Sequence, residues 1–302
     1  MRHSPTGRRG FTIVEIITAL TIIAIIGLAM TKLILGQTRS FQYDNGARRA
    51  RAAARGAMNI LITDLRMVQD EAGGVTAVDA TNNRLVTVRV PTVFGVVCQV
   101  NAGDVVVALV PTDPFQLSSS KYGGYAIRNN ISGLYTYVSA SASDGVTITG
   151  TGRCRTANIG ADTATIAGRA GGTFVLTPGP PGGTAVGDVV FVWQSVTYEF
   201  RNSGIFPGRL GLYRTVSGKA GTDNTADELM APFSPTARFS YYTKNPYPAN
   251  DTPATSAPAA LGDIRGFQIF LPAESSDTMP TRNTPQSANA TTAVFFKNVR
   301  LP

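Results

Sequence analysis

The amino-terminal region constrains this chain most, because it combines a basic segment, a lone acid and a long apolar run. Residues 1–10 contain three arginines and no acid. In the apolar run that follows, Glu15 is the only charged residue before Lys32. A carboxylate at the centre of a bilayer costs about 2.5–3.5 kcal/mol on translocon-based scales. An acid kept in such a segment therefore indicates a function.

Residues 11–35 are predicted to form a transmembrane helix. At 1.5 Å per residue they span about 37 Å, enough for the hydrocarbon core of about 30 Å. The preceding basic segment favours a cytoplasmic amino end and transfer of the following chain across the membrane. No convincing secretory cleavage site follows the apolar run. Composition alone leaves a plain, uncleaved signal anchor as an alternative.

The junction Gly10-Phe11-Thr12-Ile13-Val14-Glu15 resembles the signature of type IV prepilins. The resemblance implies that a prepilin peptidase cuts between Gly10 and Phe11. It also implies N-methylation of Phe11 and retention of Glu15 inside the membrane. Cleavage would create an ammonium group on Phe11, and a buried charge is best tolerated when it is paired. We expect Glu15 to pair with the amine of a neighbouring subunit and so to favour one axial register.

The composition argues against an enzyme. The single histidine is His3, inside the predicted leader, so a processed chain would contain none. This excludes catalytic triads with histidine and His-ligated metal sites. No phosphate-binding loop of the Walker type occurs, because Gly218-Lys219 lacks the spaced glycine and is followed by Ala220. We expect no catalytic residue, no cofactor and no metal.

Two charged clusters allow other interpretations. Asp223, Asp227 and Glu228 could bind calcium, but a solvated acidic turn is the prediction we favour. The arginine run at 48, 49, 51 and 55 could bind DNA or lipid headgroups. It begins about 20 Å beyond the membrane edge and contains no aromatic residue for base stacking. We favour a solvated helix face that contacts acidic neighbours, and no nucleic-acid partner.

The helical pattern continues beyond the membrane. Residues 37–70 contain no proline and are rich in alanine and arginine. Apolar residues recur there at three- and four-residue spacing, as on a helix that lies on a core: Met58, Leu61, Leu65 and Val68. A single helix from Phe11 to about Asp70 would be about 90 Å long.

After Gly73-Gly74 the composition changes to short β-branched and aromatic runs separated by turn residues. The predicted strands are 84–90, 93–100, 104–110, 134–138, 146–149, 173–176, 188–200, 210–216, 237–243, 264–271 and 294–301. Long surface loops are predicted at about 117–133, 150–187, 245–262 and 273–292. The sequence thus predicts one antiparallel β-rich head behind a long helix.

The two cysteines, Cys98 and Cys154, fall in the head. In an exported protein they would meet an oxidising compartment. We expect a disulfide between them, and the alternative is two separate thiols.

The carboxyl-terminal half resembles minor pilins of the PilW type and J-type minor pseudopilins of type II secretion. The resemblance is carried by the order of five motifs: VTYEF (196–200), LGLYRTV (210–216), ARFSYY (237–242), IRGFQIFL (264–271) and FFKNVRL (295–301). Two departures from major pilins suggest a low-copy subunit. Lys32 occupies the position where many major pilins have a proline, and the head is long. Glu15 argues against the K-type tip pseudopilin, which usually lacks that acid.

The resemblance implies an α+β, pilin-like lollipop. Its parts are a leader at 1–10, a transmembrane half-helix at 11–35, a periplasmic half-helix at 36–73 and a head at 74–302. The expected function is to prime assembly at or near the tip of a type IV pilus or secretion pseudopilus. Expected partners are other major and minor pilins or pseudopilins, the prepilin peptidase and the inner membrane. The alternatives are a tip adhesin or DNA-uptake module, and an unprocessed signal-anchored surface protein.

Overall fold

The computed structural model describes residues 12–69, 73–109, 121–129, 132–149, 173–218, 226–244, 252–278 and 284–296. Within these ranges the chain forms one long, amino-terminal α-helix and a large antiparallel β-sheet. This is the α+β class that the sequence predicts. Gly10, Phe11 and Cys154 lie outside the described residues.

The helix α1 covers Ile13–Met67, 55 residues, and is therefore about 80 Å long. Thr12 caps its first turn, and Val68 ends it by adopting an extended conformation. The predicted helix began two residues earlier, at Phe11, and ended three residues later, at Asp70. Its continuity from the apolar run into the head agrees with the prediction.

The two halves of α1 have different surroundings. Every residue from 12 to 45 is exposed, whereas the second half buries one stripe against the sheet. The buried residues of that stripe are Ala50, Ala53, Ala54, Ala57, Leu61 and Leu65. Of the predicted stripe, Leu61, Leu65 and Val68 are fully buried, while Met58 is half-buried against the same core. The alanines were missing from the prediction, and their small side chains let the helix approach the sheet closely.

Within the part of the chain that the structure describes, thirteen strands form the sheet. They are β1 (Val75–Val78), β2 (Leu85–Val100), β3 (Val105–Leu109), β4 (Gly124–Arg128), β5 (Tyr135–Ser139), β6 (Val146–Thr149), β7 (Thr173–Leu176), β8 (Val189–Asn202), β9 (Leu210–Ser217), β10 (Ala226–Phe233), β11 (Arg238–Thr243), β12 (Ile264–Thr278) and β13 (Pro285–Phe295). A short 3₁₀ helix at Leu261–Asp263 precedes β12.

The strand order is β11-β12-β10-β9-β8-β2-β3-β7-β6. In addition, β1 pairs with β2, β13 pairs with β12, and β4 lies between β5 and β8. The two longest central strands, β2 and β8, pair from Leu85↔Glu199 to Val96↔Val189, with one register shift between Pro91 and Val93. Two predicted strands, 84–90 and 93–100, are therefore one strand that continues through Pro91.

The two largest apolar cores among the described residues lie along β2 and β8. The larger core is closed by α1 and contains a cluster of aromatic rings: Tyr198, Phe200, Phe233, Phe239, Tyr241 and Phe267. The smaller core lies further along the same two strands, where β3, β4 and β7 contribute Val105, Tyr125, Phe174 and Leu176. The head is thus built around two long strands that take part in both cores.

Several predicted loops are strands in the structure. The predicted loop 117–133 contains β4, and the predicted loop 273–292 contains the end of β12 and most of β13. The last strand was predicted at 294–301 but runs from Pro285 to Phe295. β13 consists mainly of small residues, and its sequence therefore resembles that of a loop. They form a strand here because they pair with β12 and lie against the helix.

Two short strands, β1 and β10, were not predicted. β10 (Ala226–Phe233) contains two acids and a proline, so its sequence does not indicate a strand. Asp227 and Glu228 were expected in a solvated acidic turn, and that prediction is wrong because both lie on β10, paired with β9. Asp223 lies outside the described residues.

Leu61→Ala is expected to destabilise the head by about 2–5 kcal/mol, because it leaves a cavity in the core that α1 closes. Leu33→Ala is the matched control, since Leu33 lies on the exposed half of the same helix with 62% of its surface accessible. Urea unfolding of the detergent-solubilised chain, followed by tryptophan fluorescence, measures both. Equal effects of the two substitutions would contradict the division of the helix into an exposed and a buried half.

Candidate functional site

The exposed half of α1 is the most unusual surface of the described residues. Large apolar side chains cover it from Ile13, which is 76% exposed, to Leu35, which is 51% exposed. The helix is long and apolar enough to cross a membrane, and none of its most apolar window is buried. Exposed apolar patches of more than a few hundred Å² mark interaction or membrane surfaces. Residues 13–35 therefore form a candidate membrane anchor about 34 Å long.

The threonine hydroxyl groups within this anchor are satisfied by the helix itself. Thr18, Thr21 and Thr31 donate hydrogen bonds to the carbonyl groups four residues earlier, at 3.0, 2.8 and 2.8 Å. A hydroxyl group without a partner would be costly in hydrocarbon. These bonds therefore suit the threonines to an apolar environment, and Lys32, near the end of the anchor, is the charged residue that follows Glu15.

Glu15 lies in the first turn of α1 and forms a capping box with Thr12. Its carboxylate accepts hydrogen bonds from the backbone N–H and the hydroxyl group of Thr12, both at 3.4 Å. The Thr12 oxygen accepts in return from the Glu15 N–H at 3.3 Å. The free N–H groups and the positive end of the helix dipole also favour an anion there.

Glu15 lies at the end of the apolar helix. The free-energy cost of placing its carboxylate in a membrane is therefore lower than the value for the centre of the bilayer. The sequence analysis missed the role of Thr12, although the spacing Thr-x-x-Glu before an apolar run is the signature of a capping box. Gly10 and Phe11, the predicted cleavage site, lie outside the described residues, and their roles stay predictions.

A polar network connects the buried half of α1 to the sheet. Asp64 accepts hydrogen bonds from the Tyr198 hydroxyl at 2.6 Å and from Nε and Nη2 of Arg214 at 3.1 and 2.9 Å. Burial acts to lower the pKa of Arg214, but the Asp64 charge, the Tyr198 hydroxyl and the hydrogen bonds to both side chains together raise it. Burial, reinforced by the Asp64 charge, raises the pKa of Tyr198. Arg214 therefore stays charged and Tyr198 neutral around pH 7, and both hold the helix at one rotation.

Two residues of this network belong to motifs that carry the family resemblance and the strand prediction. Tyr198 lies in VTYEF and Arg214 in LGLYRTV, but neither motif by itself predicts a contact with α1. Asp64 is the only acid between Asp44 and Asp70 and is adjacent to the buried Leu65. A lone carboxylate on the buried side of a helix predicts a cationic partner, and this signal was overlooked.

A second acid, Glu228, stabilises the β8–β9 turn. Its carboxylate accepts hydrogen bonds from the Tyr213 hydroxyl at 2.7 Å, the Gly204 N–H at 3.0 Å and the Ser203 hydroxyl. Burial acts to raise the pKa of Glu228, but these hydrogen bonds and the charge of Arg201 lower it overall. Among the described residues, no three His, Cys, Asp or Glu side chains are grouped so that they could hold a metal ion.

Arg89 holds the segment that follows α1 against the sheet. Its guanidinium group lies 4.6 Å from the Trp193 ring and 5.0 Å from the Tyr137 ring, and it donates to the Gly73 carbonyl at 3.0 Å. Gly73 has a φ of +119°, and a Cβ atom there would lie 2.6 Å from Tyr137. Only glycine fits this position, which brings the chain from the helix onto the sheet.

The arginine run is exposed at Arg48, Arg51 and Arg55, as expected for a solvated helix face. Arg49, also exposed, donates a hydrogen bond to the Ser276 hydroxyl at 3.4 Å. The intervening Ala50 is buried against the sheet, so the arginines and the alanines occupy opposite sides of the helix. Contact with acidic neighbours in an assembly stays a prediction.

Cys98 is buried on β2 and is disulfide-bonded. The other cysteine of the chain, Cys154, lies outside the described residues. The pairing of Cys98 with Cys154 stays a prediction.

No protein-family model, no curated protein and no solved structure matches this chain. Its function must therefore be inferred from its own residues.

Asp64→Asn is expected to lower the free energy of unfolding by about 1–3 kcal/mol, because Arg214 and Tyr198 lose their charged acceptor. Glu199→Gln is the control: Glu199 forms an ion pair with Arg201 at 3.7 Å, but the two side chains are 35% and 44% exposed. An exposed pair contributes about 0–1 kcal/mol. Urea unfolding measures both variants, and an effect of Asp64→Asn no larger than that of the control would refute the importance of the network.

Proposed function

We propose that this chain is a minor pilin or pseudopilin, a structural subunit that primes assembly of a filament. In this proposal it sits at or near the tip of a type IV pilus or a type II secretion pseudopilus. The observation that carries the proposal is the division of α1. Its first half is apolar and wholly exposed, and its second half buries one stripe of side chains against the head. The prepilin-like junction before Thr12 supports the same proposal.

Before assembly, residues 13–35 would lie in the inner membrane. The basic residues 1–10 favour a cytoplasmic amino end, which would leave the head in the periplasm. The threonines that bond back to the helix suit a lipid environment. Lipid thus provides the first partner of the exposed surface, and neighbouring helices of a filament provide the second.

Glu15 would act in two ways. In the single subunit it caps its own helix with Thr12. After cleavage it would also pair with the Phe11 ammonium group of a neighbour. Lipid is already apolar, so moving the helix into a bundle gains little from the hydrophobic effect. Packing and this charge pair must therefore select the correct arrangement.

The head would remain at one rotation relative to the anchor during extraction from the membrane. The network of Asp64, Tyr198 and Arg214 and the buried leucine side chains support such rigidity. The length of the head and Lys32 favour a subunit present in few copies. The partners in this proposal are other major and minor pilins or pseudopilins and the prepilin peptidase, and the role requires no catalytic residue and no cofactor.

The alternatives of a tip adhesin and a DNA-uptake module stay predictions. They depend on the arginine run or on residues 90–185, of which 110–120, 130–131 and 150–172 lie outside the described residues. No contact among the described residues favours them over a structural subunit.

The amino-terminal mass of the chain purified from its native membrane tests processing. Cleavage after Gly10 and methylation predict N-methyl-Phe11 as the first residue. An intact Met1 would contradict the prepilin proposal and favour the unprocessed signal anchor. The measurement is intact-mass spectrometry followed by sequencing of the amino-terminal peptide.

Glu15→Gln is expected to leave cleavage intact and to reduce incorporation into filaments about tenfold or more. Glutamine can still cap the helix, but it cannot pair with an ammonium group, and 1.4 kcal/mol corresponds to a factor of ten. The amounts in sheared filaments and in membranes are compared by quantitative mass spectrometry.

Thr12→Ala is the matched control for this experiment. It removes the hydroxyl group of the capping box but keeps the charge of Glu15, so incorporation should stay close to that of the unaltered chain. If Glu15→Gln is incorporated normally, or if Thr12→Ala is as defective as Glu15→Gln, charge pairing is not the function of Glu15.

A further inference from the structure

The strand β13 is at the edge of the sheet, next to α1. Among the described strands it pairs only with β12, in an uninterrupted ladder from Ser287↔Glu274 to Phe295↔Gly266. Among the described residues, no strand pairs with the backbone edge that these nine residues present on the side away from β12. Its length exceeds that of most edge strands that proteins leave uncovered.

The backbone groups that point away from β12 can be identified from its two ends. The Phe296 N–H donates to the Arg265 carbonyl at 3.0 Å, and the Gln286 N–H donates to the Ser275 hydroxyl at 2.9 Å. In an antiparallel pair, inward and outward backbone groups alternate. The outward groups are therefore those of Ser287, Asn289, Thr291, Ala293 and Phe295, whose side chains are also exposed.

This edge lacks the features with which proteins normally prevent strand addition. Between Gln286 and Phe295 there is no charged residue and no proline, and the only register shift lies before Ser287. Lysines, prolines and bulges are the usual protection of an edge strand. An unprotected edge of this length can accept an added strand through main-chain hydrogen bonds.

The position of α1 on the sheet limits what can bind at β13. Gln286, near the start of the strand, lies beside Gly46, and Ala288, Ala290 and Val294 pack in the core that buries Ala50 to Leu65. The helix α1 therefore lies along the face of the sheet that includes β13. Two copies that paired edge to edge about a twofold axis would have antiparallel β13 strands. Their exposed half-helices would then point in opposite directions, which is incompatible with one membrane.

We propose that the edge of β13 binds an extended, uncharged segment of a different polypeptide, which adds to the sheet as a further strand. Ser287, Asn289 and Thr291 are small and uncharged, so they leave space for the added strand and offer no charge to attract an ionic one. The choice of a different polypeptide rests on the proposed function, because it assumes anchors that share one membrane. In a filament, such an added strand would join the heads of two subunits.

Residue-resolved amide hydrogen exchange tests the proposal on the full chain. In detergent, the outward amides of Asn289, Thr291 and Ala293 should exchange rapidly, while the inward amides of Ala290, Thr292 and Val294 should be protected. In the assembled form recovered from native membranes or filaments, the outward amides should exchange at least about tenfold more slowly. Outward amides that exchange as fast in the assembled form as in detergent would overturn the proposal.

Thr291→Pro removes one outward N–H group, and Thr291→Val is the matched control that keeps it. Proline is tolerated on an edge strand where the N–H faces solvent. The proposal expects Thr291→Pro to reduce protection at Asn289 and Ala293 in the assembled form at least about tenfold, and Thr291→Val to leave it unchanged. If Thr291→Pro does not fold, Thr291→Lys retains the N–H group and should also weaken strand addition. If the Asn289 and Ala293 amides stay fully protected in the assembled form of whichever of these two variants folds, the proposal is overturned.

A photoreactive side chain at Asn289 identifies the occupant. A cross-link to an extended segment of another polypeptide supports the proposal, and a cross-link to Asn289 or its neighbours in a second copy overturns it.

The outcomes of these experiments also separate the strand-addition proposal from the proposed function. A chain that enters filaments with an unprotected β13 edge would refute only the strand addition. A chain that never enters filaments but has a protected edge would refute only the pilin role.

Discussion

The structure depends on the packing of the second half of α1 against the sheet. This contact closes the larger core with a stripe of alanines and leucines, and it also determines the direction in which the exposed half projects. The alanines bring the helix backbone close to the sheet. The Asp64 carboxylate then fixes its rotation through Tyr198 and Arg214. Without this contact the core would be open and the apolar half would have no defined orientation.

One continuous helix meets two opposite requirements. In its first half, apolar side chains face outward on all sides and the threonines bond back to the helix. In its second half, the arginines are exposed and the alanines of the stripe that faces the sheet are buried. Each half also contains one acid with a partner close by: Thr12 for Glu15 and Arg214 for Asp64. The proposed move from membrane to filament requires that both halves stay one rigid rod.

The head shows where the sequence was informative and where it was not. Strands rich in β-branched and aromatic residues, such as β8 and β9, were predicted almost to their ends, and β2 was predicted as two strands divided at Pro91. β4, β10 and β13 were missed, because glycine, acids and small residues respectively make them resemble loops. Their strand character comes from pairing with neighbours distant in sequence, which a local pattern does not contain. β13 is also the strand whose edge carries the strand-addition proposal.

The sequence by itself determined the long helix, its apolar first half, the lone acid and the β-rich head. These follow from periodicity and composition, which are local properties of the chain. Only the tertiary structure decided that Asp64 meets Arg214, that Glu228 lies on a strand, and that β13 pairs with β12 alone among the described strands. The physical reason is that partners from distant segments satisfy buried charges and backbone groups, and the fold alone brings those segments together.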